Sequence, residues 1–394
     1  MLALMFTMLL VPAQDPSVEI TRSEELQAAR EDKAQHLQAP TRTSLEKALV
    51  DFKEKRVMER FQAGFLGFHP MVGGMKTGSG FALGTSREIT KGLSASAQVS
   101  FKGYQKYEIV YKPGFLNDRF FAEVRSTYRN HPQESFYGVG NNTQSEDLAS
   151  YRLEDQTVAG QFGVRLGKHT KVGTQAGWIK ARIGDGTSSR LPSVGETFGP
   201  ETLTAISDEP TYLRSGAFLD IDYRDEPGNP REGGRYAASW STFKDRGFGR
   251  YDFNQYDVEV QQYIPFFHHR RVIALRAKTT LTQAADNHAV PFYMLPTLGG
   301  SEDLRGYADF RFRDRNMVVF NAEYRWEAFS GLDVALFADA GQVAPRAQDL
   351  RVRDMKTSAG FGFRFNTAKN VIYRVDVGFS RDGARVSMKF SHVF

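Results

Sequence analysis

The sequence predicts an all-β protein: a transmembrane antiparallel β-barrel of about sixteen strands behind a short helical or disordered N-terminal arm. Three observations predict it. From Phe65 to Phe394 apolar residues recur at every second position, in segments of roughly ten residues or more. The connections between segments sort by parity, short on one rim and long on the other. Composition is the third: 36 Gly, 31 Phe and 13% aromatic residues, with only 41% hydrophobic residues in total. That mixture suits strands with one apolar and one wet face, and lumen and loops bring the average hydropathy down to that of a soluble protein.

The same numbers exclude several classes. After the first few residues no run of about 20 apolar residues appears, so no helix is expected to span a membrane. The chain has no cysteine, which removes disulfides, thiolate catalysis and Cys-based zinc sites. A net charge of +5 arises from interspersed Lys/Arg and Asp/Glu without a basic block, so nucleic acid is not an expected partner.

Residues 1–14, MLALMFTMLLVPAQ, have the apolar stretch of a secretory signal peptide and a small residue, Ala13, for cleavage, but lack the positive n-region. Residues 15–61 carry strong helix formers, with Ser23 and Ser44 as candidate N-caps and Pro40 between the two segments. They read as a helical or disordered periplasmic segment without a folded module. The barrel domain is expected over 62–394. Its strands are predicted at 62–72, 78–88, 92–102, 104–113, 118–130, 155–167, 170–183 and 211–224. The remainder are expected at 233–244, 251–267, 270–284, 315–329, 331–343, 355–366, 370–381 and 383–394.

If the first strand runs outward, the short connections GKHT, FHHR, SG and NTAKN lie on the periplasmic rim. The long ones, 131–154, 184–210 and 285–314, fall on the opposite rim. A soluble sandwich gives no reason for such sorting. On the short rim the longest turn, RDEPGNPREGG, should be a rigid Pro/Gly corner.

One cation in the longest loop needs a partner. Arg305 lies in the Gly-rich stretch LPTLGGSEDLRGY, and the next two strands carry Glu323 and Asp339. Alternation puts Glu323 with Val319, Asn321 and Arg325 on one face, opposite Phe320, Ala322, Tyr324 and Trp326. It puts Asp339 with Asp333, Phe337 and Gly341, opposite Leu332, Val334 and Leu336. Both carboxylates should therefore point into the lumen, where a loop folded inward could bring Arg305. A guanidinium fork serves two carboxylates at once, and Gly299, Gly300 and Gly306 would let the loop backbone approach the wall.

Four stretches in order carry a resemblance. LGGSEDLRGY, with Arg305, Gly306 and Tyr307, resembles the V/L-R-G-F/Y loop of the bacterial surface antigen family, the BamA/TamA-type barrels. FADAG (Phe337, Asp339, Gly341) is similar to that family's F-x-D-x-G strand, NAEYRWEAF to its N-x-E-Y-R strand, and FYGVGNNT to an earlier glycine-rich segment. The resemblance covers roughly 62–394. It implies a loop latch built on Arg305, Gly306, Tyr307, Glu323 and Asp339. It also implies a seam between the first and last strands that opens to assist insertion or translocation of proteins at the outer membrane of a Gram-negative bacterium. The partners so implied are outer-membrane lipid and lipopolysaccharide, with unfolded client proteins or a periplasmic partner. Family members that receive clients use POTRA modules, and 15–61 does not read as one. The C-terminal strand, with Phe390 and the terminal Phe394 facing outward, resembles a barrel-recognition signal.

The residues favour no enzyme, cofactor or metal. His268 and His269 adjoin in a predicted turn, and no histidine pair has ligand spacing. Ser380 is expected inward and His392 outward, so they cannot converge as a hydrolase pair. A passive solute channel and a structural outer-membrane antigen are the alternative functions.

Overall fold

The computed structural model describes residues 66–390, apart from 74, 76, 77, 115–117, 368 and 369, together with Gln27, Glu31 and Asp32. Those three N-terminal residues are helical. The expected signal peptide at 1–14 and the rest of the arm at 15–61 lie outside the described residues.

Alternation of apolar and polar residues builds one antiparallel sheet of 16 strands. Its first seven strands are β1 (Phe68–Gly73), β2 (Ala82–Thr90), β3 (Leu93–Ser100), β4 (Gln105–Tyr111), β5 (Phe120–Phe136), β6 (Ala149–Leu166) and β7 (Thr170–Asp185). Then come β8 (Thr211–Asp222), β9 (Gly233–Asp245), β10 (Phe253–Phe266) and β11 (Arg271–Ala284). A two-residue ribbon inside the next loop, β12 (Thr297–Leu298) with β13 (Phe312–Arg313), stands apart from the sheet. The wall resumes with β14 (Asn316–Phe329), β15 (Leu332–Ala344), β16 (Lys356–Asn366), β17 (Val371–Ser380) and β18 (Gly383–Lys389). Each barrel strand pairs with its neighbour in sequence, so the sheet is an up-and-down wall. No described helix is long and apolar enough to cross a membrane.

The two faces divide as expected. On β14 and β15, Phe320 and Leu336 are exposed on the outer face while Val319, Asn321, Glu323, Phe337 and Asp339 are buried inside. Alternation fades at the short rim, where Leu332 and Val371 are buried instead of facing outward. Both follow register shifts, one between Glu327 and Phe329 and one between Phe365 and Asn366.

The boundaries differ most from the expectation at the β5–β6 loop and at the first strand. β5 and β6 extend to Phe136 and from Ala149, so the predicted loop 131–154 shrinks to 137–148. Pro132 does not end β5 because it lies in a bulge between His131 and Glu134, where no ladder donor is needed. The first strand is shorter than predicted, only Phe68–Gly73. That is less than the roughly 9–11 residues a tilted strand needs to span a bilayer.

Loop sorting by parity holds. The β10–β11 turn is made by Phe267, His268 and His269, all with positive φ. The corner between β8 and β9 reaches across the short rim. There Arg231 Nη2 binds Asp333 of β15 at 2.8 Å, Val371 donates to the Gly228 carbonyl, and Arg325 donates to that of Pro230. The long-loop rim holds two apolar clusters, one around Tyr212, Phe243 and Phe253 and one around Phe136, Tyr151 and Phe292.

Candidate functional site: an arginine loop docked on the inner wall

The loop between β11 and β14 folds into the lumen. Leu298, Leu304, Tyr307 and Phe312 bury there against Met317, Val319 and Val343 of the wall. Burying such side chains is worth about 1.5–3 kcal/mol each. This apolar packing brings the polar end of the loop against β14–β17.

Arg305 is the most connected group. Its Nε and Nη2 donate to the two oxygens of Asp339 at 2.9 and 2.6 Å, and its backbone N–H donates to the same carboxylate at 3.1 Å. Nη1 donates to Glu323. The guanidinium carbon lies over the Phe337 ring, 3.6 Å from its centroid. All three charged side chains are shut off from solvent. A lone ion at such a place costs several kcal/mol, whereas a bidentate pair with a stacked ring satisfies every face of the fork.

The strand motif has a physical reason at each position. Phe337 supplies the ring, Asp339 the forked acceptor, and Gly341 the space into which Leu298 packs, since a Cβ there would lie 2.9 Å from its Cδ2. The N-x-E pattern works likewise: Asn321 donates to the Asp303 carbonyl at 2.7 Å and to Asp339 at 2.8 Å. Glu323 also accepts from Arg325 at 2.7 Å and Arg364 at 3.0 Å. Both wall arginines thus share the carboxylate with the loop arginine. Gly306 presents its carbonyl to Ser380 Oγ at 2.7 Å, and Tyr307 packs edge-on against Phe312 with centroids 5.2 Å apart.

Sequence reasoning missed the supports. Arg276 of β11 donates to the Glu302 carbonyl at 2.9 Å, and Arg374 of β17 to that of Ser301 at 2.9 Å. Neither bond leaves a mark in the sequence, because a backbone carbonyl has no residue type. The far end of the loop is held through FYGVGNNT: Arg311 donates to the Thr143 hydroxyl and carbonyl at 2.8 and 2.7 Å, and Gly140 N–H to the Arg313 carbonyl at 2.7 Å. The alternation of Arg311, Arg313 and Arg315 was the one available signal. Phe390 faces outward against Tyr373 and Phe81, whereas Phe394 and His392 lie outside the described residues. Ser380 is committed to Gly306, and among the described residues no acidic or histidine cluster could hold a metal.

If the acids hold the loop, Glu323→Lys with Asp339→Lys should release it. A single thiol at Ser301→Cys, buried in the docked loop, should then react with a membrane-impermeant maleimide; continued protection would show the pairing to be incidental.

A sixteen-stranded membrane barrel whose inward loop is docked by one arginine on two wall carboxylates defines the class. The chain belongs to the Omp85 superfamily, whose domain matches residues 83–391. In fold it is similar to BamA from Haemophilus ducreyi lacking POTRA domains 1–3, at 13% identity and a TM-score of 0.58, over 92% of this chain and 81% of that one. It is similar also to CdiB from Escherichia coli (12% identity, TM-score 0.51, 81% of this chain) and from Acinetobacter baumannii (11%, 0.50, 82%). The match spans 61% and 60% of those two CdiB chains. No curated protein matches the sequence.

Proposed function

We propose that this barrel resides in the outer membrane of a Gram-negative bacterium and assists insertion or translocation of proteins through the seam between β1 and β18. The observation that carries the reading is the contrast between that seam and the wall that leads up to it on the β18 side. Among the described residues no ladder joins β1 to β18, whereas β14–β17 are tied through the docked loop. An unpaired backbone group in lipid costs several kcal/mol, so a strand edge at the seam favours pairing with an incoming β-segment. Arg305 is then a latch that stiffens the late strands and leaves the seam to yield. Phe390, with Phe394, serves as the signal by which this barrel is itself delivered to the membrane. The clients are unfolded outer-membrane proteins, met directly or through a periplasmic partner.

The absence of native cysteine provides a clean test. Phe81 and Phe390 face each other across the seam with ring centroids 6.2 Å apart. In liposomes, the barrel should raise the protease-protected fraction of a urea-unfolded outer-membrane protein over that in empty liposomes. Cross-linking the Phe81→Cys/Phe390→Cys pair should abolish the gain, and reduction should restore it. A gain unaffected by the cross-link contradicts the seam; no gain favours the channel or structural alternative.

A further inference from the structure

The seam has a second feature that strand pairing does not use. A Cβ on Gly73, the last residue of β1, would lie 3.0 Å from the Phe390 ring, so the end of β1 lies against the residue that follows β18. The β18 edge over Gly383–Lys389 continues past that point without a described partner on this side. A cavity of about 750 Å³ wraps around this edge, from the docked loop inside to the outer face.

Its chemistry is divided. The mouth is apolar, made by Phe81, Val386, Met388 and Phe390, all exposed. Deeper lie Asp309 and Ser301, while Lys102 and Arg385 are exposed at the edge, with Lys102 Nζ donating to the Gly78 carbonyl at 3.0 Å. The Ser301 hydroxyl is buried with no hydrogen-bond partner, on a residue 4% exposed. Burial raises the Asp309 pKa, with Lys389, Arg385 and Glu302 the next influences on it. None of these cations is within ion-pair distance of it among the described contacts. Lys389 is engaged with Glu302 at 3.6 Å. Opposite charges thus face a shared space without closing on each other.

We propose that this cavity binds a zwitterionic membrane phospholipid with a primary ammonium, a phosphoethanolamine lipid. The phosphate lies against Arg385 and Lys102, the ammonium donates to Asp309, Ser301 caps the headgroup, and the acyl chains leave over Phe81, Val386 and Met388. Charge complementarity selects this headgroup: a wholly anionic lipid leaves the carboxylate unmet, and a quaternary ammonium cannot donate to it. The lipid fills a gap that would otherwise expose a strand edge to hydrocarbon. This inference is independent of insertion activity.

The test is competitive retention. The full barrel is reconstituted in bilayers of equal phosphatidylethanolamine, phosphatidylcholine and phosphatidylglycerol, released into mild detergent, and its bound lipids counted by native mass spectrometry. Phosphatidylethanolamine should be retained at least fivefold over either competitor. Lys102→Glu with Arg385→Glu should reduce it to their level, and Asp309→Asn should remove the preference over phosphatidylcholine. Retention in the bulk ratio, or a preference unchanged in the variants, overturns the proposal. Should a variant not fold, as read by heat-modifiable gel mobility, a photoactivatable phosphatidylethanolamine on the native chain decides. Labelling of 78–81 and 385–390 is expected; labelling spread around the outer wall contradicts the site.

Discussion

Arg305→Ala should free the loop while leaving the barrel folded. Removing the guanidinium strands Asp339 and Glu323, both fully buried, without their loop partner. Breaking a buried pair from one side costs about 3–5 kcal/mol. Glu323 keeps Arg325 and Arg364 and so bears less of that cost, whereas Asp339 keeps no cation, only neutral donors: Asn321, Ser358 and, while the loop stays docked, the backbone N–H of residue 305. At about 1.4 kcal/mol per tenfold, the docked population should fall by a hundredfold or more relative to the undocked. A thiol at Ser301→Cys reports it: protected in the parent, reactive toward impermeant maleimide in the variant. Equal protection in both would show that the apolar packing of Leu298, Leu304 and Tyr307 suffices. Arg305→Lys should lie close to Ala, because a point charge cannot reproduce the fork or the stack on Phe337.

The second large effect is expected from a residue that touches no charge. A Cβ on Gly378 of β17 would lie 2.6 Å from the Arg305 carbonyl oxygen and 2.7 Å from its carbon. From the loop side, a Cβ on Gly306 would lie 2.8 Å from the Phe379 backbone. Backbone lies against backbone here, so neither side can turn away. Gly378→Val should therefore displace the loop with every charged group intact, giving the same Ser301→Cys reactivity as Arg305→Ala. Gly160→Ala on β6 is the control, since its Cβ would meet nothing closer than 3.8 Å. If Gly378→Val leaves the thiol protected, the loop docks by ion pairing alone and the close approach is dispensable.

Much of this is legible in the sequence. Period-two alternation gave the all-β wall, and the inward placement of Glu323 and Asp339 followed from the parity of their positions relative to Phe320 and Leu336. The arginine between them could be inferred because a buried carboxylate pair calls for a fork. What escaped were relations with no local trace. Thr143 and Arg311 are 168 residues apart. The Ser301 and Glu302 carbonyls that Arg374 and Arg276 hold are backbone, the same in any sequence. β5 and β6 run beyond their expected ends because a bulge between His131 and Glu134 absorbs Pro132 without ending the ladder. The docking floor at Gly378 has no mark of its own, because strand glycines such as Gly184 of β7 also occur where nothing approaches them.

In the proposed mechanism the docked loop stiffens β14–β17 and leaves β1 and β18 to yield. Hydrogen–deuterium exchange on the barrel in lipid nanodiscs tests it most directly, with parent and Arg305→Ala compared strand by strand. Amides of β1 and β18 should exchange fast in both proteins. Those of β14–β17 should be slow in the parent and markedly faster in the variant. Uniform protection around the parent barrel, with β1 and β18 as slow as β15, or a variant whose late strands are unchanged, would show that the loop does not set which strands yield.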